Sequence, residues 1–236
     1  VRTIEAPYIH YKMNDNLATT TVIDSAGTNP GVASANTSVL TSAGKINQGF
    51  HFDGCSQRLD VSNLIDDFKN DATGTMSFWF KTDEIRNGSL FEFTSTQNVS
   101  GFDLMLRTSG EISLYTGDGT VGHFYIWTNS MFAVNQWYHV TVTQNGSGVK
   151  FYVNGAEIST RNLYADNTAW FTHSNSTTWN VSRIGNYYRT DTGENFFFKG
   201  TIDDFRYYKR GLTVDEVKAI YNNGNGTENS EVTYTP

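Results

Sequence analysis

The sequence predicts an all-β fold, a two-sheet antiparallel sandwich closed by one short C-terminal helix, from three kinds of observation. Aromatic residues make up 14% of the 236-residue chain and prolines number only 3, while Thr, Ser, Asn and Gly are abundant; that mixture favours many short strands joined by polar turns. Apolar and polar residues alternate in short runs separated by Gly- and Asn-bearing turns. One segment near the end carries the start signals of a helix. A sandwich of this length is one domain, which we place at 1–224, with 225–236 read as a polar tail or linker.

Taken in order, Gly74 to Lys81 sets Met76, Phe78 and Phe80 on one face and Ser77, Trp79 and Lys81 on the other. Phe102, Leu104 and Leu106 alternate with Asp103, Met105 and Arg107. After a turn at Ser109-Gly110, Ile112 and Leu114 alternate with Ser113 and Tyr115. A second hairpin turns Tyr138, Val140 and Val142 inward, then Val149, Phe151 and Val153 on its return strand. Asn154-Gly155 closes the following turn, since both residues tolerate the positive φ of tight hairpins. Near the end, Thr213 and Glu216 form a capping box with Leu212 and Val217 as a hydrophobic staple. Val214, Val217, Ile220 and Tyr221 make the helix stripe, and Gly224 is the expected terminator.

Charge and composition exclude some functions. The net charge is −7 and no Lys/Arg cluster is present, which argues against nucleic acid as a partner. No apolar run is long enough to span a bilayer, and Val1 to Pro7 lacks the features of a signal peptide. Cys55 is the one cysteine, so no intrachain disulfide forms, and a plain loop or core role fits it. No nucleophile elbow, phosphate-binding loop or HExxH motif occurs.

The order of several motifs resembles the laminin-G-like jelly rolls of the concanavalin-A-like lectin/glucanase superfamily. They include Asp24-Ser25-Ala26-Gly27, Gly49-Phe50-His51-Phe52-Asp53-Gly54 and Trp137-Tyr138-His139-Val140. Tyr152-Val153-Asn154-Gly155 and the run from Gly200 through Ile202-Asp203-Asp204-Phe205 to Tyr208 complete the set. The resemblance covers about Tyr8 to Gly224 and implies a jelly-roll sandwich. Its members include sugar-binding modules, adhesion domains and hydrolases, so the residues must choose among them. It also implies a structural Ca2+ tying Asp24, with Asn29, to Asp203. The plainer alternative makes Asp24 an Asx-turn and Asp203 an acceptor of backbone hydrogen bonds. Asp203 and Asp204 are expected to point to opposite faces, leaving one as a ligand.

The glucanases of that superfamily carry Glu-x-Asp-x-x-Glu on one strand, and this pattern is absent: Glu92 has no acidic partner two residues on. His139 reads as a structural histidine. Sugar recognition combines stacking aromatics with planar polar groups, and 161–189 is richest in both: Tyr164, Trp170, Phe171, Trp179, Tyr187, Tyr188 and Arg189. Tyr125 and Trp127 make a second candidate group, with Asp103, Arg107 and Tyr115 on a polar sheet face. Trp137 is assigned to the core. Replacing Trp170 by Ala is expected to weaken glycan binding in a folded domain. The leading expectation is thus a noncatalytic poly- or oligosaccharide-binding module of a larger extracellular or cell-surface protein. The rivals are a protein-interaction or adhesion domain, including one on a viral particle, and a polysaccharide-degrading enzyme.

Overall fold

Alternation along the strands sorts the side chains into a shared interior and two outer faces. The structure, a computed structural model, describes residues 1–96, 101–117, 122–129, 132–164, 168–173, 179–189 and 193–236, without the side chains at 123, 124, 173, 189 and 194. The first part holds β1 (Arg2–Ile4), β2 (Ile9–Tyr11), β3 (Thr21–Val22), β4 (Gly31–Ala33), β5 (Thr41–Ala43), β6 (Gln48–Asp53) and β7 (Leu59–Asp60). Then come β8 (Gly74–Thr82), β9 (Gly88–Thr94), β10 (Gly101–Leu106), β11 (Ile112–Gly117), β12 (Gly122–Thr128), β13 (Tyr138–Gln144) and β14 (Val149–Val153). The last part contains β15 (Ala156–Ile158), β16 (Thr160–Asn162), β17 (Val181–Ile184), β18 (Tyr187–Arg189), β19 (Gly193–Asn195), β20 (Lys199–Tyr208) and β21 (Val232–Tyr234). Three short helices are described: α1 (Thr37–Leu40), α2 (Ile65–Phe68) and α3 (Val214–Tyr221). None is long and apolar enough to cross a membrane.

Among the described residues, the strands form a nine-stranded sheet in the order β16-β12-β11-β10-β9-β17-β7-β4-β3. An eight-stranded sheet runs β15-β14-β13-β8-β20-β6-β5, with β2 also on β20. All pairings are antiparallel, giving the jelly-roll sandwich the sequence predicts. The core lies between the sheets: Phe91, Phe93, Phe102, Leu104 and Leu114 from one, Phe50, Met76, Phe78, Val140 and Phe205 from the other. Phe91 and Phe205 stack across the gap with centroids 5.5 Å apart.

Both predicted hairpins form, and Asn154 (φ 51°) and Gly155 (φ 77°) take the positive φ their turn requires. The capping box of α3 is complete in both directions. The helix departs from expectation at two points. Val214 is exposed rather than part of the stripe. The left-handed cap is Asn222 (φ 50°), not Gly224, because the chain reverses as soon as Tyr221 has packed on Trp79.

The segment 225–236 is polar, yet it folds back onto the domain. β21 pairs with β1, Val232 is buried, and the carbonyls of Thr227 and Asn229 accept from the Arg206 guanidinium. Composition hid this because the segment docks largely through main-chain pairing and acceptors, with Val232 and Tyr234 as its few apolar contacts. Arg206 itself is fully buried, 3.1 Å from Asp204, whose carboxylate also meets His10 Nε2 at 2.6 Å. A bulge makes this possible. Asp203 and Arg206 face Trp79 and Ser77, so Asp204 and Phe205 occupy the place of one residue, and Asp204 adopts φ 51°. Asp203 and Asp204 therefore do not simply alternate, as plain strand geometry predicts. His139, at 2.9 Å from Ser77 Oγ, is the structural histidine expected; burial lowers its pKa to about 3 and keeps the ring neutral.

Three tryptophans require correction. Trp170 is 0% and Trp179 5% exposed, both in the core. Trp170 meets Phe102 edge-on at 5.1 Å, and Trp179 stacks on Phe93 at 5.4 Å. The long polar stretch tucks these rings inward to fill the sandwich end beside Phe171. Trp137, assigned to the core, is only half-buried, under Lys81 Nζ at 5.2 Å. Trp170→Ala accordingly is expected to cost about 3–5 kcal/mol of stability. Urea unfolding measures this, and an unchanged midpoint would contradict the core placement.

Candidate functional site

The two outer faces of the sandwich meet different fates. That of the eight-stranded sheet is covered: Tyr221 of α3 packs against Trp79 and His139, and the 225–236 segment crosses Arg206. The outward face of the nine-stranded sheet carries the chemistry. There the register sets Tyr125 opposite Tyr115, Tyr115 opposite Asp103, Asp103 opposite Glu92, Glu92 opposite Arg183 and Arg183 opposite Asp60. Directly opposed residues share a face, so this is one continuous row crossing β12, β11, β10, β9, β17 and β7. Beside it, Trp127 stands opposite Ser113 on one side and Arg161 on the other.

At the β12 end the groups interlock. Arg107 donates from Nε to Ser113 Oγ and from Nη2 to the Tyr125 hydroxyl, each at 2.6 Å. Its guanidinium lies 5.5 Å from the Tyr125 ring centroid and 5.3 Å from that of Trp127. Arg161 lies 5.2 Å from Trp127 and donates to both oxygens of Glu111 at 2.6 and 3.0 Å. Tyr115 and Tyr125 meet edge to face at 5.7 Å. Tyr125, Trp127, Tyr115 and Arg107 are all partly exposed.

In the middle of the row the carboxylates are deep. Glu92 is 0% and Asp103 4% exposed. Burial pushes Asp103 up to about 6, against the opposing pull of Arg107 and the Ser89 hydroxyl, which donates to Oδ1 at 2.8 Å. Burial also pushes Glu92 well above the carboxylate range, although the Tyr188 amide donates to its oxygens at 2.9 and 3.0 Å. This bond draws the β18–β19 hairpin over the sheet, and Tyr188 lies 5.2 Å from the Arg183 guanidinium. Tyr187 turns to Phe196 at 6.1 Å. The Arg189 side chain lies outside the described residues.

Of the sequence-predicted binding residues, Tyr125, Trp127, Asp103 and Arg107 come together on this face, joined by Tyr188 from the 161–189 stretch, whereas Trp170 and Trp179 of that stretch lie in the core. Sequence reasoning found no partner for Glu92 along its own strand; the partner, Asp103, is across the ladder. Arg183, following the short apolar start of β17, carried no signal beyond alternation. A groove of about 660 Å³ lies elsewhere, lined by Tyr8, Gly27, Asn29, Tyr208, Lys209 and Arg210 among others. Its Tyr8 ring is already met by Lys209 Nζ at 4.3 Å, and the convergent aromatic, guanidinium and hydroxyl groups lie on the sheet face instead.

The residues expected to hold calcium serve two loops. Asp24 Oδ1 accepts from the amides of His10 and Ala26 at 3.0 Å, and Oδ2 from that of Asn29 at 3.3 Å. Asp203 Oδ2 accepts from the amides of Lys45 and Ile46 at 2.8 Å. Asp203 Oδ1 is buried without a donor, and burial, opposed by those amides, pushes the carboxyl up to about 8. An orphaned buried carboxylate oxygen fits a cation. Among the described residues, no three His, Cys, Asp or Glu side chains gather around one point.

No curated protein matches the sequence. Domain 4 of AbnA, a GH43 extracellular arabinanase from Geobacillus stearothermophilus solved with arabinotriose, superposes with a TM-score of 0.65 at 20% identity, over 91% of this chain and 98% of that one. The CBM40 of Ruminococcus gnavus IT-sialidase, bound to α2,3-sialyllactose, gives 0.61 at 18% identity, over 73% and 96%. The receptor binding domain of botulinum neurotoxin C/D mosaic serotype gives 0.62 at 16% identity, over 92% of this chain and 51% of that one. At these identities the likeness is one of fold. Residues 52–218 match the family model of the Concanavalin A-like lectin/glucanases superfamily, and the chain belongs to that family.

Proposed function

We propose that the protein is a noncatalytic carbohydrate-binding module that takes an oligosaccharide along the outward face of the nine-stranded sheet. The observation that carries this reading is the in-register row from Tyr125 to Asp60, which brings aromatic rings, guanidinium groups and carboxylates onto one surface. Its partly exposed end, with Tyr125, Trp127, Tyr115 and Arg107, spans two strand spacings or ~10 Å, room for one or two sugar rings. Two structural relatives solved with arabinotriose and sialyllactose support the same assignment. The facing carboxylates Glu92 and Asp103 are buried and already bonded to the Tyr188 amide and Ser89, which favours a structural role over general acid–base work. We place the module in a larger extracellular protein, as the domain-sized relatives from an extracellular arabinanase and a sialidase support.

We also propose a structural Ca2+, with Asp203 as its buried anionic ligand and the Asp24–Asn29 loop ligands carried over from the family resemblance.

Three expected outcomes test these readings. On a glycan array, Tyr125→Ala or Trp127→Ala weakens binding about tenfold or more without releasing product on prolonged incubation; retained binding removes this face from the site. Excess chelator lowers the melting temperature, whereas an unchanged melt argues against calcium. The third concerns pH. The folded Asp103 carboxyl sits at about 6, above its unfolded value, so the native state binds the extra proton. Its contribution is therefore greatest below the unfolded pKa and is lost as pH rises through about 6. Asp103→Asn, which keeps an acceptor for Ser89, is expected to raise stability at pH 8 by on the order of 2 kcal/mol, with the gain shrinking toward pH 4. Melting curves across that range check it, and a pH-independent difference contradicts it.

A further inference from the structure

We propose that this face selects anionic saccharides, with the Arg107 guanidinium taking the carboxylate of a sugar acid; the inference rests on the glycan-binding reading above. Among the described residues, the groups bonded to or stacked on the Arg107 guanidinium are uncharged: the hydroxyls of Ser113 and Tyr125 at 2.6 Å, and the rings of Tyr125 and Trp127 at 5.5 and 5.3 Å. Several other guanidiniums of the chain stand beside carboxylates. Arg161 grips Glu111, Arg183 lies 3.7 Å from Asp60, and Arg206 meets Asp204. Among the described residues Arg107 makes no ion pair, and its Nη1 makes no hydrogen bond. The nearby Asp103 turns its Oδ1 to Ser89 instead.

The aromatic pair is thus engaged in orienting a cation rather than standing bare for stacking. Two hydroxyls and two rings fix a half-exposed fork, and its unused Nη1 edge is the geometry that receives a planar carboxylate through paired hydrogen bonds. A sulfate ester offers the same charge with tetrahedral oxygens, so the test separates the two.

The intact chain is titrated calorimetrically with oligogalacturonate, a hyaluronan fragment and sialyllactose, with the carboxyl-reduced form of each, and with a sulfated neutral oligosaccharide. The expected result is that at least one acid binds about tenfold or more tightly than its reduced form, and that added salt weakens it. Arg107→Gln abolishes that preference, and Arg107→Lys restores part of it, with melting temperatures confirming that both variants fold. The proposal is overturned if acids and reduced forms bind alike, if Arg107→Gln weakens both forms equally, or if only the sulfated probe is preferred. In the first of these cases, binding still lost in Tyr125→Ala leaves the glycan-binding reading intact. Silence toward every probe overturns both readings together.

Discussion

The buried pair of Arg206 and Asp204 is the interaction on which the arrangement of the sandwich turns. A fully buried guanidinium must be neutralised and hydrogen-bonded, and here Asp204, the carbonyls of Thr227 and Asn229, and the His10–Asp204 contact meet that demand. The bulge in β20 supplies Asp204, and the folded-back C-terminal segment supplies the carbonyls. Removing one partner would strand a charge in the interior, so the two ends of the chain are bound into the domain by electrostatic necessity. In covering that side, they leave the other sheet's outer face to carry polar chemistry.

On that second face the same physics has a different outcome. Asp103 and Glu92 are buried without a bonded guanidinium, so their carboxyls rise instead of being held down as Asp204 is. Arg107 has the complementary position, a positive group near Asp103 whose bonded and stacked partners among the described residues are hydroxyls and rings. The face therefore combines deep acids that resist ionisation with a cation still open to a partner. This asymmetry gives a binding surface its character more directly than the number of aromatics does.

Much of the fold was legible because it rests on local rules. Met76, Phe78 and Phe80 alternate inward, Asn154-Gly155 needs positive φ, and Thr213 with Glu216 satisfies the first helical turn; each involves neighbours in sequence. The candidate site was legible only in part. Tyr125, Trp127, Asp103 and Arg107 follow from strand alternation, which assigns them to the polar face. Trp170 and Trp179 did not follow, since a long polar loop has no periodicity to reveal which ring turns inward.

The sequence by itself determined the all-β class, the hairpins, the capped helix and the family motifs, because period-two alternation and turn chemistry act over a few residues. Tertiary structure alone decided which outer face would be covered, that Glu92 meets Asp103 across a ladder, and that Arg107 bonds hydroxyls where Arg161 bonds a carboxylate. Those outcomes depend on register and burial between strands far apart in the chain. A side chain's desolvation and its partners are properties of the assembled sheet, not of its neighbours in sequence.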